Sequence, residues 1–440
     1  MFREKDSNAR SFWLSPRVLL LGLALLTLAT LGAGTPPGSL PDRPPPPPPS
    51  VTLGIKTFLP VISSSQPPSP GSYVLLGWND LGMHCYNYSF KDLAVLPPYN
   101  TLWAQVIKRG DPPQIVTSGI RVQYSFPDNK TSVTKTDFWT YAPQLFGVTL
   151  PDNIGLAGKG LAGVMDPKNG YFEAVGIPLT EFSDSAPTTP DPYQLASLVA
   201  KDIATGAERA TLTGVAPVSS EMHCDTCHAP GKDPGGNQPR TELNILALHD
   251  NEENTNLINS RPVLCANCHS SNALGMGGVS GVPSLSRAMH TKHSGEVPNT
   301  LNGCYNCHPG PTTACLRDVM SQNVTSSLDP NRKMNCIDCH GGMSTVAQNP
   351  NPWLNEPRCD TCHVPTATHQ YNQDQALYRF STGHGGVYCE ACHDSTHAIA
   401  TSREAKDAIK FVQLQGTSGT LSKCTVCHLT QPTGPGPHSK

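Results

Sequence analysis

Along residues 71–220 the apolar positions follow the period of strands. Ile120, Val122, Tyr124 and Phe126 alternate with polar residues, which predicts a strand with one buried face. Pro127-Asp128-Asn129-Lys130 supplies turn residues, and a strand-like run resumes from Val133 to Trp139, so the stretch reads as a hairpin. Tyr73–Leu76 is a shorter apolar run. Leu195–Asp202 and Arg209–Val218, around Thr205-Gly206, predict a second hairpin; the first of these segments also fits a short amphipathic helix. The expectation for 71–220 is a β-rich domain, a β-sandwich of immunoglobulin-like type. Gly158-Lys159-Gly160-Leu161-Ala162-Gly163 matches the dinucleotide fingerprint in letters only. It lacks the preceding strand, the following helix and the acidic residue, and reads as a glycine-rich turn.

From Glu221 the periodicity fades. Gly, Pro, Asn and Ser separate short helical stretches such as Ser402–Leu414, and a pair of cysteines recurs every 23 to 41 residues. Upstream, Arg10 and Arg17 precede an apolar run, Val18 to Ala33, that ends in small residues and is short for a membrane span. Residues 1–34 are expected to be an export signal, with a retained anchor as the alternative. Residues 35–70, with the unbroken proline run Pro44 to Pro49, read as an extended linker. The fold class is therefore mixed: a β-sandwich-like domain (71–220), then a loop-rich domain with short helices (221–440).

Composition sharpens this picture. Apolar residues make up 37% and aromatics 6% of the 440 residues, while Pro (43) and Gly (38) are abundant, so side chains alone would give a thin core. Fourteen of the 16 cysteines fall into seven identical Cys-x-x-Cys-His frames: Cys224/Cys227/His228, Cys265/Cys268/His269, Cys304/Cys307/His308, Cys336/Cys339/His340, Cys359/Cys362/His363, Cys389/Cys392/His393 and Cys424/Cys427/His428. Two cysteines three apart reach the two thioether positions on one edge of a porphyrin, and the next residue offers its imidazole to the iron. Zinc ribbons use Cys-x-x-Cys pairs in twos and need no histidine after each; a thioredoxin-like redox site uses one motif on a βαβ unit. Seven frames imply seven covalently attached c-type haems, which would supply the missing apolar bulk. Such a domain is expected not to fold without them. The formal charge of −3 becomes more negative once propionates are counted, which argues against nucleic acid as a partner.

Nine histidines lie outside the frames. His223, His249, His290, His293, His369, His384 and His397 are the expected distal ligands. His84, beside Met83 and Cys85, is the alternate, placed to serve a neighbouring haem or one in another subunit. His438 is set aside because it lies beside Pro437 in the C-terminal tail. Two imidazoles per iron would close every iron to substrate, favouring an electron carrier with low-spin haems over an enzyme. The leftover Cys85 and Cys315 are expected to form a disulfide in an oxidising compartment; two separately packed thiols, or a bond between chains, are the alternatives.

Several flanks carry a resemblance. Cys389-Glu-Ala-Cys-His393, preceded by Ser381-Thr-Gly-His-Gly-Gly386 and followed by Ser395-Thr-His397, is similar to the exported multihaem cytochromes of metal-reducing and related bacteria. So are Cys304-Tyr-Asn-Cys-His-Pro-Gly310 with Cys315-Leu-Arg317, and Asn79-Asp-Leu-Gly-Met-His-Cys85. The resemblance covers most of residues 72–430. It implies electron transfer in the periplasm or at the cell surface, to other redox proteins or extracellular acceptors such as minerals. In some members of that class subunits polymerise into filaments, a histidine of one subunit ligating a haem of the next; His84 would take that part here. The competing class is a multihaem reductase of nitrogen or sulfur oxyanions with one open haem.

Overall fold

In the computed structural model the described residues are 71–228, 240–349, 356–367, 369–371, 373–434 and 436–438. The expected export signal and proline-rich linker lie outside them. Tyr73–Asn79 and Asn100–Lys108 are the first two long strands, paired antiparallel with Trp78 opposite Trp103. Phe172–Ile177 joins them to make the core of one five-stranded sheet, completed by Gln114–Ile115 and Asp166–Pro167. The second sheet runs His84–Cys85, Glu208–Ser219, Tyr193–Asp202, Ile120–Ser125 and Ala162–Val164. Taking the seven main strands in chain order, the first, second and fifth share one sheet; the seventh, sixth, third and fourth share the other. The sheets curl together where Tyr73–Asn79 lies along Glu208–Ser219.

The residues explain the strands. Ile120, Val122 and Tyr124 are buried while Arg121 is exposed, the alternation of a strand with one covered face. The expected hairpin at Thr205-Gly206 is present, with Leu198 opposite Leu212. Tyr73–Asn79 and Asn100–Lys108 are instead buried on both faces. Leu75, Leu102, Ala104 and Val106 point into the core between the sheets. Val74, Leu76, Trp78, Trp103 and Ile107 point the other way, against Ala391 and Val426 of the Cys-rich half. Gly77 lets the sheets approach: a Cβ there would stand 2.3 Å from a Leu198 methyl. The Gly158–Gly163 stretch is a turn, closed by the Gly155 N–H donating to the Lys159 carbonyl, and leads into a short strand.

One expected strand is absent. The run Val133 to Trp139 forms turns and then the helix Phe138–Phe146. Side chains take the backbone groups that a strand partner would need. The Asn153 carboxamide oxygen accepts from the N–H groups of Ser132 and Val133, at 2.6 and 3.0 Å, and Asp137 accepts from the Phe90 N–H at 2.7 Å. Phe138, Ala142 and Leu145, spaced i, i+4 and i+7, then form a buried helical stripe against Phe90, Ala94, Leu264 and Ala266.

The second half is built differently. Among the described residues its longest helices are Thr241–Glu253, Leu285–His293 and Ile409–Gln415; the others are shorter. Most buried apolar side chains of the described residues lie before residue 220. Polar contacts bind this half to the sandwich. Asp92 holds Arg240 and Arg261 at 2.7 and 2.8 Å, beside the pairing of Leu93–Ala94 with Val263–Leu264. Ser219 and Thr313 share a hydroxyl hydrogen bond of 2.8 Å. The buried Arg317 guanidinium donates to Asp407 at 2.7 Å and to the Gly82 carbonyl at 2.9 Å. Lys410, equally buried, pairs with Asp394 at 2.7 Å. Gln105 donates to the Gly386 carbonyl and accepts from the Tyr388 N–H, and Arg109 donates to the carbonyls of Thr425 and His428.

Candidate haem-binding sites

Each motif folds into one helical turn. In the motifs beginning at Cys224, Cys265, Cys304, Cys359 and Cys424, the histidine N–H donates to the carbonyl of the first cysteine at 2.8–3.0 Å. The other two lie inside the short helices Cys336–His340 and Cys389–His393. Positions i, i+3 and i+4 of a helical turn share one face, so the spacing presents both sulfurs and the imidazole together.

The two cysteines of a motif are not equally covered. The first is half-buried in all seven, whereas Cys227, Cys268, Cys339 and Cys362 are exposed. The side chains of the described residues do not enclose Cys227 and Cys268. Both residues close a 3-10 turn, Cys224–Thr226 and Cys265–Asn267. Cys227 still lies beside another motif, since burial and then Cys227 push the Cys307 thiol up. Cys268 is tied through its backbone, its carbonyl accepting from the Val279 N–H at 2.8 Å.

Six of the seven motif histidines face a second histidine across a gap. Ring centroids are 6.1 Å apart for His228 and His293, 6.3 Å for His269 and His249, and 6.3 Å for His308 and His290. They are 6.2 Å for His340 and His397, 5.7 Å for His393 and His438, and 5.9 Å for His428 and His384. Two imidazoles on opposite sides of one metal ion, each bonded at about 2.0 Å, stand with ring centres about 6 Å apart. The gaps fit one iron each. Among the described residues no three His, Cys, Asp or Glu side chains converge as a single metal site; the arrangement is one of facing pairs.

Ring orientation supports the pairing. Nδ1 is engaged by Asn244 in His228 (3.1 Å), by the Pro283 carbonyl in His269 (2.9 Å) and by Thr255 in His249 (3.0 Å). It meets the carbonyls of Ser286 in His290 and Met289 in His293, both at 2.7 Å, and of Gln370 in His438 at 3.2 Å. A hydrogen bond at Nδ1 fixes the tautomer and leaves Nε2 for metal. Desolvation favours the neutral ring, as ligation requires, at His308 and His397. It pushes His308 down to about 4, helped by His290 and His340, and His397 down to about 3, helped by His340 and Arg317.

The remaining expected ligands sit elsewhere. His84 and His223 turn Nε2 itself onto carboxylates, Asp80 at 2.8 Å and Glu221 at 3.0 Å. His369 lies against Tyr371, with centroids 6.3 Å apart. Tyr371 is also the ring facing His363, at 5.5 Å. His438, set aside on sequence, is held in place by the Gln370 N–H donating to its carbonyl at 2.7 Å. Nothing local in the sequence marks that long-range contact.

Cysteines of different motifs lie near enough to influence one another's charge, in an order. Cys336 lies beside Cys304 and holds its thiol below the ordinary value. Burial and then Cys307 push Cys224 up to about 11; burial, Asp318 and Cys362 raise Cys339 to about 11. Burial and then Cys359 raise Cys389 to about 12, and burial and then Cys392 raise Cys427 to about 11. These neighbours link motif one to three, three to four, four to five, five to six, and six to seven. Motif two attaches to motif one through the helix Thr241–Glu253, whose Asn244 bonds His228 and whose His249 faces His269.

Cys85 and Cys315 lie together, both packed on Met83, Tyr193 and Val215, and both are thiols in this structure. Burial and then Cys315 raise the Cys85 thiol far above its ordinary value; burial raises Cys315 to about 11. The Cys315 sulfur is also 4.0 Å from Nδ1 of His397. Among the described residues no helix is long and apolar enough to cross a membrane. No family model, no curated protein and no solved structure matches the chain.

Proposed function

We propose that residues 221–438 hold seven covalently attached c-type haems and that the chain is an exported electron carrier. The observation that carries this reading is the set of six facing histidine pairs, each pair separated by the width of one ligated metal. Seven cysteine pairs would anchor the groups. The exposed sulfurs of Cys227 and Cys268 suit attachment from outside, with the porphyrin itself covering them. Bound haem iron would supply reversible one-electron redox chemistry and pass single electrons between neighbouring sites.

The chain's own side chains do the rest. At the six paired sites the facing imidazoles would hold the group from both sides and exclude substrate there. Asn244, Thr255 and the Pro283, Ser286, Met289 and Gln370 carbonyls orient the rings. The motif neighbours would set the sites in the line two, one, three, four, five, six, seven. Sites two and seven are its ends, where donor and acceptor would dock: other redox proteins or an extracellular acceptor. Among the described residues the second half buries few apolar side chains, so the haems would organise its interior. Cys85 and Cys315 would oxidise to a disulfide joining the two halves, as export to an oxidising compartment favours.

The test is a haem count on the full-length protein. A pyridine haemochrome assay should return seven haems per chain, and spectra should be dominantly low-spin. Zinc in place of iron, or haem lost on acid–acetone extraction, would overturn the reading.

A further inference from the structure

The histidines that face a motif histidine are not all held alike. In four of them Nδ1 meets an oxygen: the Thr255 hydroxyl at His249, and the carbonyls of Ser286, Met289 and Gln370 at His290, His293 and His438. In His397 the atom at Nδ1 is the Cys315 sulfur, at 4.0 Å. The contact is built from both sides. His397 has a left-handed backbone, φ 64°, which a residue other than glycine keeps only where its surroundings hold it. Its carbonyl accepts from the Arg317 N–H at 2.9 Å. The Arg317 guanidinium donates to the Cys315 carbonyl at 3.1 Å, and the Cys315 N–H donates to the carbonyl of Pro309, just past the third motif, at 3.0 Å. Sulfur and ring are thus tied through the same bonded backbone, and the ring faces His340 of the fourth motif.

We propose that Cys315 is a positioning residue of the fourth site: its sulfur holds the Nδ1 side of His397 as a weak acceptor, leaves Nε2 to the iron and keeps that iron at a higher potential than an oxygen partner would. This rests on the seven-haem reading. An acceptor at Nδ1 pushes electron density onto Nε2 and strengthens the imidazole as a ligand, which stabilises the oxidised iron. Sulfur accepts weakly, so this stabilisation is smaller at the fourth site. That site stands midway in the proposed line, so an electron would rest there between the two ends. Cys85, which shares the packing of Met83, Tyr193 and Val215 with Cys315, provides the control.

Potentiometric titration of the full-length holoprotein tests this, with both cysteines kept reduced and haem counted in every sample. His397→Met marks the component that belongs to the fourth site. Cys315→Asn, whose carboxamide oxygen reaches one bond farther than the sulfur, should lower the potential of that component and leave the others in place. Cys315→Ala should raise it. Cys85→Ala removes the neighbouring thiol but keeps the Cys315 sulfur, and should leave it unmoved. The same component unshifted in both Cys315 variants, or shifted equally by Cys85→Ala, would overturn the inference. Loss of haem in both Cys315 variants would show a purely structural role and overturn it too. An unmodified chain without covalent haem would instead overturn the reading of the motifs, so the two failures are distinguishable.

Discussion

His290 and His293 lie three residues apart on the helix Leu285–His293 and face two different motif histidines, His308 and His228. One helical turn therefore bridges the first and third sites. Both rings bond backward to a carbonyl four residues earlier, a geometry that only an intact helix supplies.

That arrangement predicts separable effects. His290→Met should raise the potential of a single site, since methionine ligation favours the reduced iron. His293→Met should do the same at another. Potentiometric titration followed by optical spectra should show one component displaced in each variant and two in the double variant. Displacement of the same component by both would contradict the assignment.

His438 is expected to matter more than its place in the tail suggests. His438→Ala should expose the face opposite His393 and raise carbon monoxide uptake by one equivalent per chain. His84→Ala and His223→Ala should leave uptake unchanged, because their Nε2 atoms are committed to Asp80 and Glu221. Equal responses from all three would show that the facing pairs do not report ligation.

The Arg317–Asp407 pair is buried on both sides and also reaches Gly82 across the junction of the two halves. Asp407→Ala leaves an unpaired guanidinium in the interior, a change that costs about 3–5 kcal/mol. Thermal unfolding of the holoprotein should fall accordingly. Replacement of exposed Glu208, whose partner Lys201 stands at 3.7 Å, should change stability by less than about 1 kcal/mol.

Non-reducing peptide mapping should recover one linked peptide containing Cys85 and Cys315. Cys85→Ala should then destabilise the chain by about 2–4 kcal/mol, an effect that disappears when both proteins are reduced. Recovery of both cysteines as free thiols from air-exposed protein would rule out the bond.

Much of the scaffold was legible in the sequence because strands advertise themselves locally. The alternation at Ile120–Phe126 and the Thr205-Gly206 turn are short-range signals. Val133 to Trp139 leads into an equally readable stripe, Phe138, Ala142 and Leu145, but strand propensity masks it. The motif cysteines and histidines were legible for the same local reason, though spacing says nothing of cover, and Cys227 and Cys268 lie open where Cys224 and Cys265 do not. Which histidines would face a motif histidine was legible only in part. His249, His290, His293, His384 and His397 face motif histidines; His223 and His369 do not, although they sit just as close to motifs in sequence. The difference lies in tertiary contacts, such as the Glu221 carboxylate that claims His223 and the Gln370 backbone that pins His438.

The sandwich meets the line of sites at three stations: Asp92 near the second motif, Ser219 just past the third, and Gln105 with Arg109 at the sixth and seventh. A densely packed body fastened at intervals along a loop-rich string acts as a gauge. Loops between stations can breathe without letting the stations drift, so their spacing is inherited from a β-core that carries no redox motif. Mutations deep in that core, far from any motif, would then be felt as a change in conductance before they were felt as a loss of fold.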